Sequence, residues 1–103
     1  AEQFLINKGY SIIARNYHFG KGEIDLITTH QDMLVFIEVR ARKDEEIIRV
    51  TDTIRKKKKR LLLKTANHFV DEKDIDLECR FDVITLIGYG KPTIEHIEEA
   101  IVP

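Results

Sequence analysis

Tryptophan is absent from this chain, methionine and cysteine occur once each, and proline occurs twice. The single thiol, Cys79, rules out an intramolecular disulfide framework and a cysteine-based zinc site, so stability must come from a packed core. A reduced, cytoplasmic setting fits that composition, and Cys79 itself reads as an ordinary strand residue. No apolar run approaches the ~20 residues that a spanning helix needs, and the N-terminus lacks a signal-peptide pattern. Membrane insertion and export are therefore not expected. No repeat or low-complexity segment is present either. Neither sign of charge dominates, since 17 basic and 18 acidic residues leave a formal charge of −1. The charges are nevertheless segregated: Arg55 to Lys64 holds seven basic residues and no acid, whereas Asp71 to Glu78 holds five acids and one lysine. Distribution, not the net value, carries information here.

What is present fits one small α/β domain over residues 1–103, enough for a single core. Ala1 to Lys8 reads as the end of a helix whose beginning is cut off, stopped at Gly9. Ser11 to Phe19 alternates as a strand packed on both sides in places, and Gly20 to Gly22 turns the chain. Arg42 to Arg49 reads as a loop. Thr51, Asp52 or Thr53 can cap a helix running to about Val70, with an apolar stripe of Ile54, Leu61, Leu62, Ala66 and Phe69. An acidic loop follows to Glu78. Cys79 to Ile87 is an apolar strand reached by a crossover, and Thr93 to Val102 is a last strand or short helix.

The centre of the chain is a hairpin, Gly22 to Ile27 and Leu34 to Arg40, turning at His30 to Met33. With Thr29 opposite Leu34, Asp25 falls opposite Glu38 and Glu23 opposite Arg40. One face then carries Ile24, Leu26, Val35, Ile37 and Val39. The other carries Glu23, Asp25, Glu38 and Arg40, with Ile27 and Phe36 beside them. Two carboxylates opposed across strands lie ~5 Å apart at Cβ and repel unless neutralised. A divalent cation such as Mg²⁺ would neutralise them, since it takes one or two carboxylates and leaves positions for phosphate oxygens. A solvated acidic face, with Glu23 paired to Arg40, explains the same pattern without a metal. His18 and His30 have no companion at ligand spacing and read as surface residues. Asp82, Glu95 and His96 read as structural.

Most of the basic cluster, including Arg55, Lys56, Lys59 and Arg60, lies at the edge of the helix stripe or outside it. Lys58 lies near the stripe's centre at 100° per residue and should point toward the sheet. Its ammonium can reach the acidic face and meet a phosphate, or its stem can lie on Ile54 and Leu61 with the charge in solvent. The run as a whole can bind a nucleic-acid backbone or simply be solvated. Read as a nuclear-localisation tag, Lys56 to Arg60 is weak, because a helix would hold it.

Gly22-Glu23-Ile24-Asp25-Leu26-Ile27 followed by Phe36-Ile37-Glu38-Val39-Arg40-Ala41-Arg42 resembles the paired signature of the YraN-like family. Lys8-Gly9-Tyr10, Arg15-Asn16-Tyr17, Lys59-Arg60-Leu61, Arg80-Phe81-Asp82-Val83 and Ile94 to Ala100 extend the resemblance over nearly the whole chain. That family is placed in the PD-(D/E)XK nuclease superfamily, which implies a restriction-endonuclease-like α-β-β-β-α-β core with a mixed sheet flanked by helices. It also implies Mg²⁺ or Mn²⁺ held by Asp25, Glu38 and the Val39 carbonyl, and hydrolysis of phosphodiester bonds in DNA, including branched or damaged structures. The family's pattern has a Gly-Glu pair just ahead of Ala1. The superfamily's lysine two residues after the glutamate is Arg40 here, a group that holds phosphate but cannot act as a tunable base. The catalytic set expected is Asp25, Glu38, Arg40 and Lys58, with Lys58 supplying the missing ammonium. Backbone contacts are expected from Arg15, Lys21, Arg40, Arg42, Arg55, Lys56 and Lys59, and a homodimer is compatible with such folds. A nuclease-like domain that binds nucleic acid without cutting it, and a protein-interaction domain using a sheet edge, are the other readings.

Overall fold

In the computed structural model, residues 1–42, 56–88, 90–91 and 93–101 are described. Helix α1 (Glu2–Asn7) precedes strands β1 (Ser11–Phe19), β2 (Gly22–His30) and β3 (Met33–Arg42). Helix α2 (Lys56–Lys73) and strands β4 (Glu78–Ile87) and β5 (Thr93–Ile101) follow. The strands form one mixed sheet in chain order, with β3 and β4 parallel and the other neighbours antiparallel. Parallel neighbours need a crossover, and α2 lies between them in the chain. The expected capping residues Thr51 to Thr53, Ile54 of the stripe and the loop from 43 to 49 lie outside the described residues.

Each boundary has a local cause. Gly9, at φ 90°, ends α1 and lets the Tyr10 amide donate back to the Leu5 carbonyl at 3.0 Å. Gln31 and Asp32 both take positive φ, giving the two-residue turn that suits the twist of the β2–β3 hairpin. α2 runs past Val70 to Lys73, one turn further than its apolar pattern implies. It closes with Asp74 at φ 51°, the Ile75 amide donating to Val70 and the Asp74 amide to Asp71. Ile75 packs on the core at that point, so apolar contact and capping act together. Thr93 to Ile101 is a strand, which resolves the choice between strand and helix.

Both faces of the sheet are covered. Leu62, Ala66 and Phe69 of α2 lie on Ile24, Ile27, Leu34, Phe36, Phe81, Val83 and Ile101. On the opposite face, Leu5 and Tyr10 pack with Leu26, Val35, Ile37 and Ile84. The expected common face for Ile24 and Leu26 is therefore wrong, because strict alternation breaks at Asp25 between them. β1 is an edge strand and mostly exposed, yet it is packed on both sides in places as expected, with Ala14 and Tyr17 against the α2-side core and Ile12 against the α1-side core.

Asp82, buried at 0% exposure on β4, anchors the α1 side of the sheet. Its carboxylate accepts two hydrogen bonds from Arg80 at 2.9 Å, one from His96 Nε2 at 2.7 Å and one from the Glu99 amide at 3.1 Å. Lys8 donates to His96 Nδ1 at 2.7 Å, and Arg80 donates to the Tyr10 hydroxyl at 2.6 Å. The Asp82 bonds push the Arg80 pKa up, and burial raises that of Tyr10. A buried carboxylate is tolerable here because Arg80, His96 and the Glu99 amide satisfy both of its oxygens.

Gly22 fixes how close α2 comes. A Cβ there would overlap Thr65 Oγ1 and lie 3.0 Å from the Leu61 carbonyl. Gly22→Ala should lower stability by about 1–3 kcal/mol. In urea titrations, adding Thr65→Ala should recover part of the loss; additive losses would show that the contact does not limit packing. Asp82→Ala removes the carboxylate that pairs Arg80 and His96, leaving the guanidinium only the Tyr10 hydroxyl and the more distant Glu98, and should cost about 3–5 kcal/mol by the same assay.

Candidate functional site

Strand β2 is irregular at one residue. Its pairing with β1 includes Arg15 with Leu26 and Tyr17 with Ile24, but skips Asn16 and Asp25, where Asn16 takes φ 48°. Asparagine tolerates that left-handed conformation better than most residues. The ladder to β3 runs from His30–Met33 to Leu26–Ile37 in the expected register and stops there. Glu23 and Arg40 are thus not a ladder pair, and Glu23 lies 3.5 Å from His18 instead. Asp25 does not sit squarely opposite Glu38: Oδ2 turns to the Val39 amide and accepts its proton at 2.8 Å. A side chain thereby completes a backbone bond where the strands separate.

The separation opens a cavity of about 230 Å³ lined by Lys21, Gly22, Glu23, Asp25, Glu38, Lys58, Leu61 and Leu62. Glu38 points to the α2 face, where its side chain is only 13% exposed and accepts from Lys58 Nζ at 3.0 Å. Lys58 is 48% exposed. The helix geometry expected of Lys58 is seen, with its ammonium on the acid. The acidic face is not a solvated strip: Ile24, Ile27 and Phe36 are sealed under α2, and the carboxylates stand at the margin of that core.

Asp25 also borders a second cavity of about 390 Å³ on the α1 side, lined by Ala1, Glu2, Arg15, Asn16, Leu26, Val39 and Leu86. Arg15 is held there by Glu2, with Nε donating at 2.8 Å, so the fold does not bring it to Glu38 and Lys58. Arg40 is half-buried on β3, level with Thr85 of β4. Lys59 is half-buried on α2. Arg55 and the side chains of Arg42 and Lys56 lie outside the described residues. His30 stacks on Tyr10 with ring centroids 3.9 Å apart, a packing role. Among the described residues, no three of His, Cys, Asp and Glu gather at one point.

The residues that sequence reasoning misses are those that shape the cavity rather than charge it. Gly22 reads as part of a turn, yet a glycine at the start of a strand also signals close approach by another backbone. Leu61 and Leu62 read as stripe residues, and they also wall the cavity.

Comparison with known proteins adds the relationships of the chain. Residues 1–86 match the family described as "Uncharacterised protein family UPF0102". A UPF0102 protein of Phocaeicola vulgatus is 42% identical, covering 100% of this chain and 86% of the relative. Another from Flavobacterium psychrophilum is 40% identical over 95% of this chain and 83% of its own length. One from Saccharophagus degradans is 41% identical over 97% and 84%.

The Asp25 carboxylate holds β3 as well as lining the cavity, and its two duties separate by substitution. Asp25→Ala should lower stability by about 1–3 kcal/mol, because the half-buried Val39 amide loses its acceptor. Asp25→Asn keeps an acceptor oxygen and should cost less than half as much in thermal unfolding. Equal losses would mean that the hydrogen bond does not hold the strands.

Proposed function

The chain belongs to the uncharacterised protein family UPF0102, the YraN family, and from its acidic cavity we propose a Mg²⁺-dependent nuclease that hydrolyses phosphodiester bonds in DNA. The observation that carries this reading is the convergence of Asp25 and Glu38 on one cavity that Lys21 and Lys58 also line. The element order α-β-β-β-α-β, with β3 and β4 parallel, is compatible with a restriction-endonuclease-like core carrying β5 as an added strand.

The donor set fits a hard cation. Two carboxylates, with the Val39 carbonyl on the adjoining strand, suit an ion that keeps several waters and accepts phosphate oxygens. Mn²⁺ would suit the same oxygen ligands. When bound, such an ion supplies Lewis-acid polarisation of the phosphoryl group and acidifies an attacking water. Asp25 and Glu38 would hold it, and Lys21 at the rim would draw in the backbone of the strand.

Lys58 neutralises Glu38 at 3.0 Å, the position a competing cation would claim. Released from the acid, its ammonium would be within reach of a phosphate entering the cavity and would offset charge growing on the leaving oxygen. Arg40, two residues after Glu38, would contribute phosphate binding rather than base chemistry, as a guanidinium is suited to do. Those two cations also favour a second reading, in which the domain binds nucleic acid without cutting it.

Incubation with single-stranded, duplex and branched DNA separates the readings. Cleavage is expected in Mg²⁺ or Mn²⁺, abolished by chelator, and reduced at least roughly a hundredfold by Asp25→Asn or Glu38→Gln. Salt-sensitive binding that survives Asp25→Asn, with no cleavage in either metal, would establish the binding domain instead.

A further inference from the structure

Phe19 is 43% exposed at the tip of the β1–β2 hairpin. Its ring stacks on His68 of α2 with centroids 3.9 Å apart and planes 14° from parallel. His68 is held in turn, its Nδ1 lying 2.6 Å from the Tyr17 hydroxyl and 3.5 Å from Glu72 Oε2. Tyr17 is wedged edge-on against Phe69 of the core. His68 is therefore held before any partner arrives and gives Phe19 a backing ring, which lowers the ordering cost of binding on it.

Its position relative to the acidic cavity is fixed by the same elements. Phe19 pairs with Gly22, a cavity residue, and Lys21 lies between them in the chain. On α2, Arg60, Lys64 and His68 follow at four-residue spacing and form one ridge, which passes Leu61 at the cavity wall. From Leu61 to His68 the helix rises about 10 Å, roughly three stacked base steps. Arg60 and Lys64 are exposed, and the next residue along the ridge is Glu72. Positive charge thus runs from the cavity to the aromatic pair and reverses sign beyond it.

We infer that Phe19, backed by His68, is a stacking platform for an unpaired nucleobase of the strand whose backbone follows the Arg60–Lys64 ridge into the acidic cavity. A base stacked inside a duplex presents no free face to a side chain at a hairpin tip, whereas an unpaired base in single-stranded or branched DNA does. This inference rests on the nucleic-acid reading above and narrows it to substrates with unpaired nucleotides.

Because the chain has no tryptophan, Phe19→Trp places a single reporter at the platform. Full-chain protein in chelator would be titrated with a short oligothymidylate and with a blunt duplex of similar length. Phe19→Ala should weaken oligothymidylate binding roughly tenfold or more and duplex binding by less than about twofold. Phe19→Trp should keep the affinity and be quenched by the single strand but not by the duplex. Equal losses on both probes, no loss on either, or an unquenched Phe19→Trp would overturn the platform. Failure of the unaltered protein to bind either probe would overturn the nucleic-acid reading and the platform with it, whereas intact binding by Phe19→Ala would overturn the platform alone.

Discussion

The hydrogen bond from the Val39 amide to Asp25 Oδ2, 2.8 Å long, is the interaction on which the candidate site depends. Beyond Leu26–Ile37 the β2–β3 ladder ends, and an amide left there without a partner would carry a desolvation penalty of about 1–3 kcal/mol. A carboxylate fills the gap, so a residue that disfavours strands is placed where a strand would otherwise fail. The same irregularity turns Ile24 and Leu26 to opposite faces, one under α2 and one toward α1. Asp25 is left at the boundary of two cavities, with one oxygen on the backbone of the strand that carries Glu38.

Packing on the α2 side supplies the second half of the arrangement. Gly22 lets the helix come down on the start of β2, and Thr65 occupies the space a Cβ would take. That approach brings Lys58 within 3.0 Å of Glu38 and makes Leu61 and Leu62 the apolar wall of the cavity. Charge that is partly withdrawn from water interacts more strongly than charge on an open surface. On the other face, the Asp82 network secures α1, β4 and β5 through partnered charges, away from the acidic cavity.

Much of this arrangement is legible in the sequence. The hairpin register follows from alternation and a two-residue turn, and it holds from His30–Met33 to Leu26–Ile37. Helical phase alone aims Lys58 at the acids. What fails is local. Alternation cannot foresee that Asp25 interrupts its own strand, because the interruption depends on an amide of β3 and on Asn16 of β1. The apolar stripe understates the length of α2 because the last turn is polar and is secured by Asp74 and Ile75 beyond it. Asp82 and His96, distant in sequence, become partners only when β4 and β5 pair.

If Asp25 and Glu38 form one cation site rather than acting as two separate structural acids, anomalous diffraction from crystals of the protein soaked in Mn²⁺ tests it most directly. One peak is expected between the Asp25 and Glu38 carboxylates, within coordination distance of the Val39 carbonyl, with Lys58 displaced from Glu38. A cavity without a peak, with the Lys58–Glu38 pair intact at saturating Mn²⁺, would contradict the account.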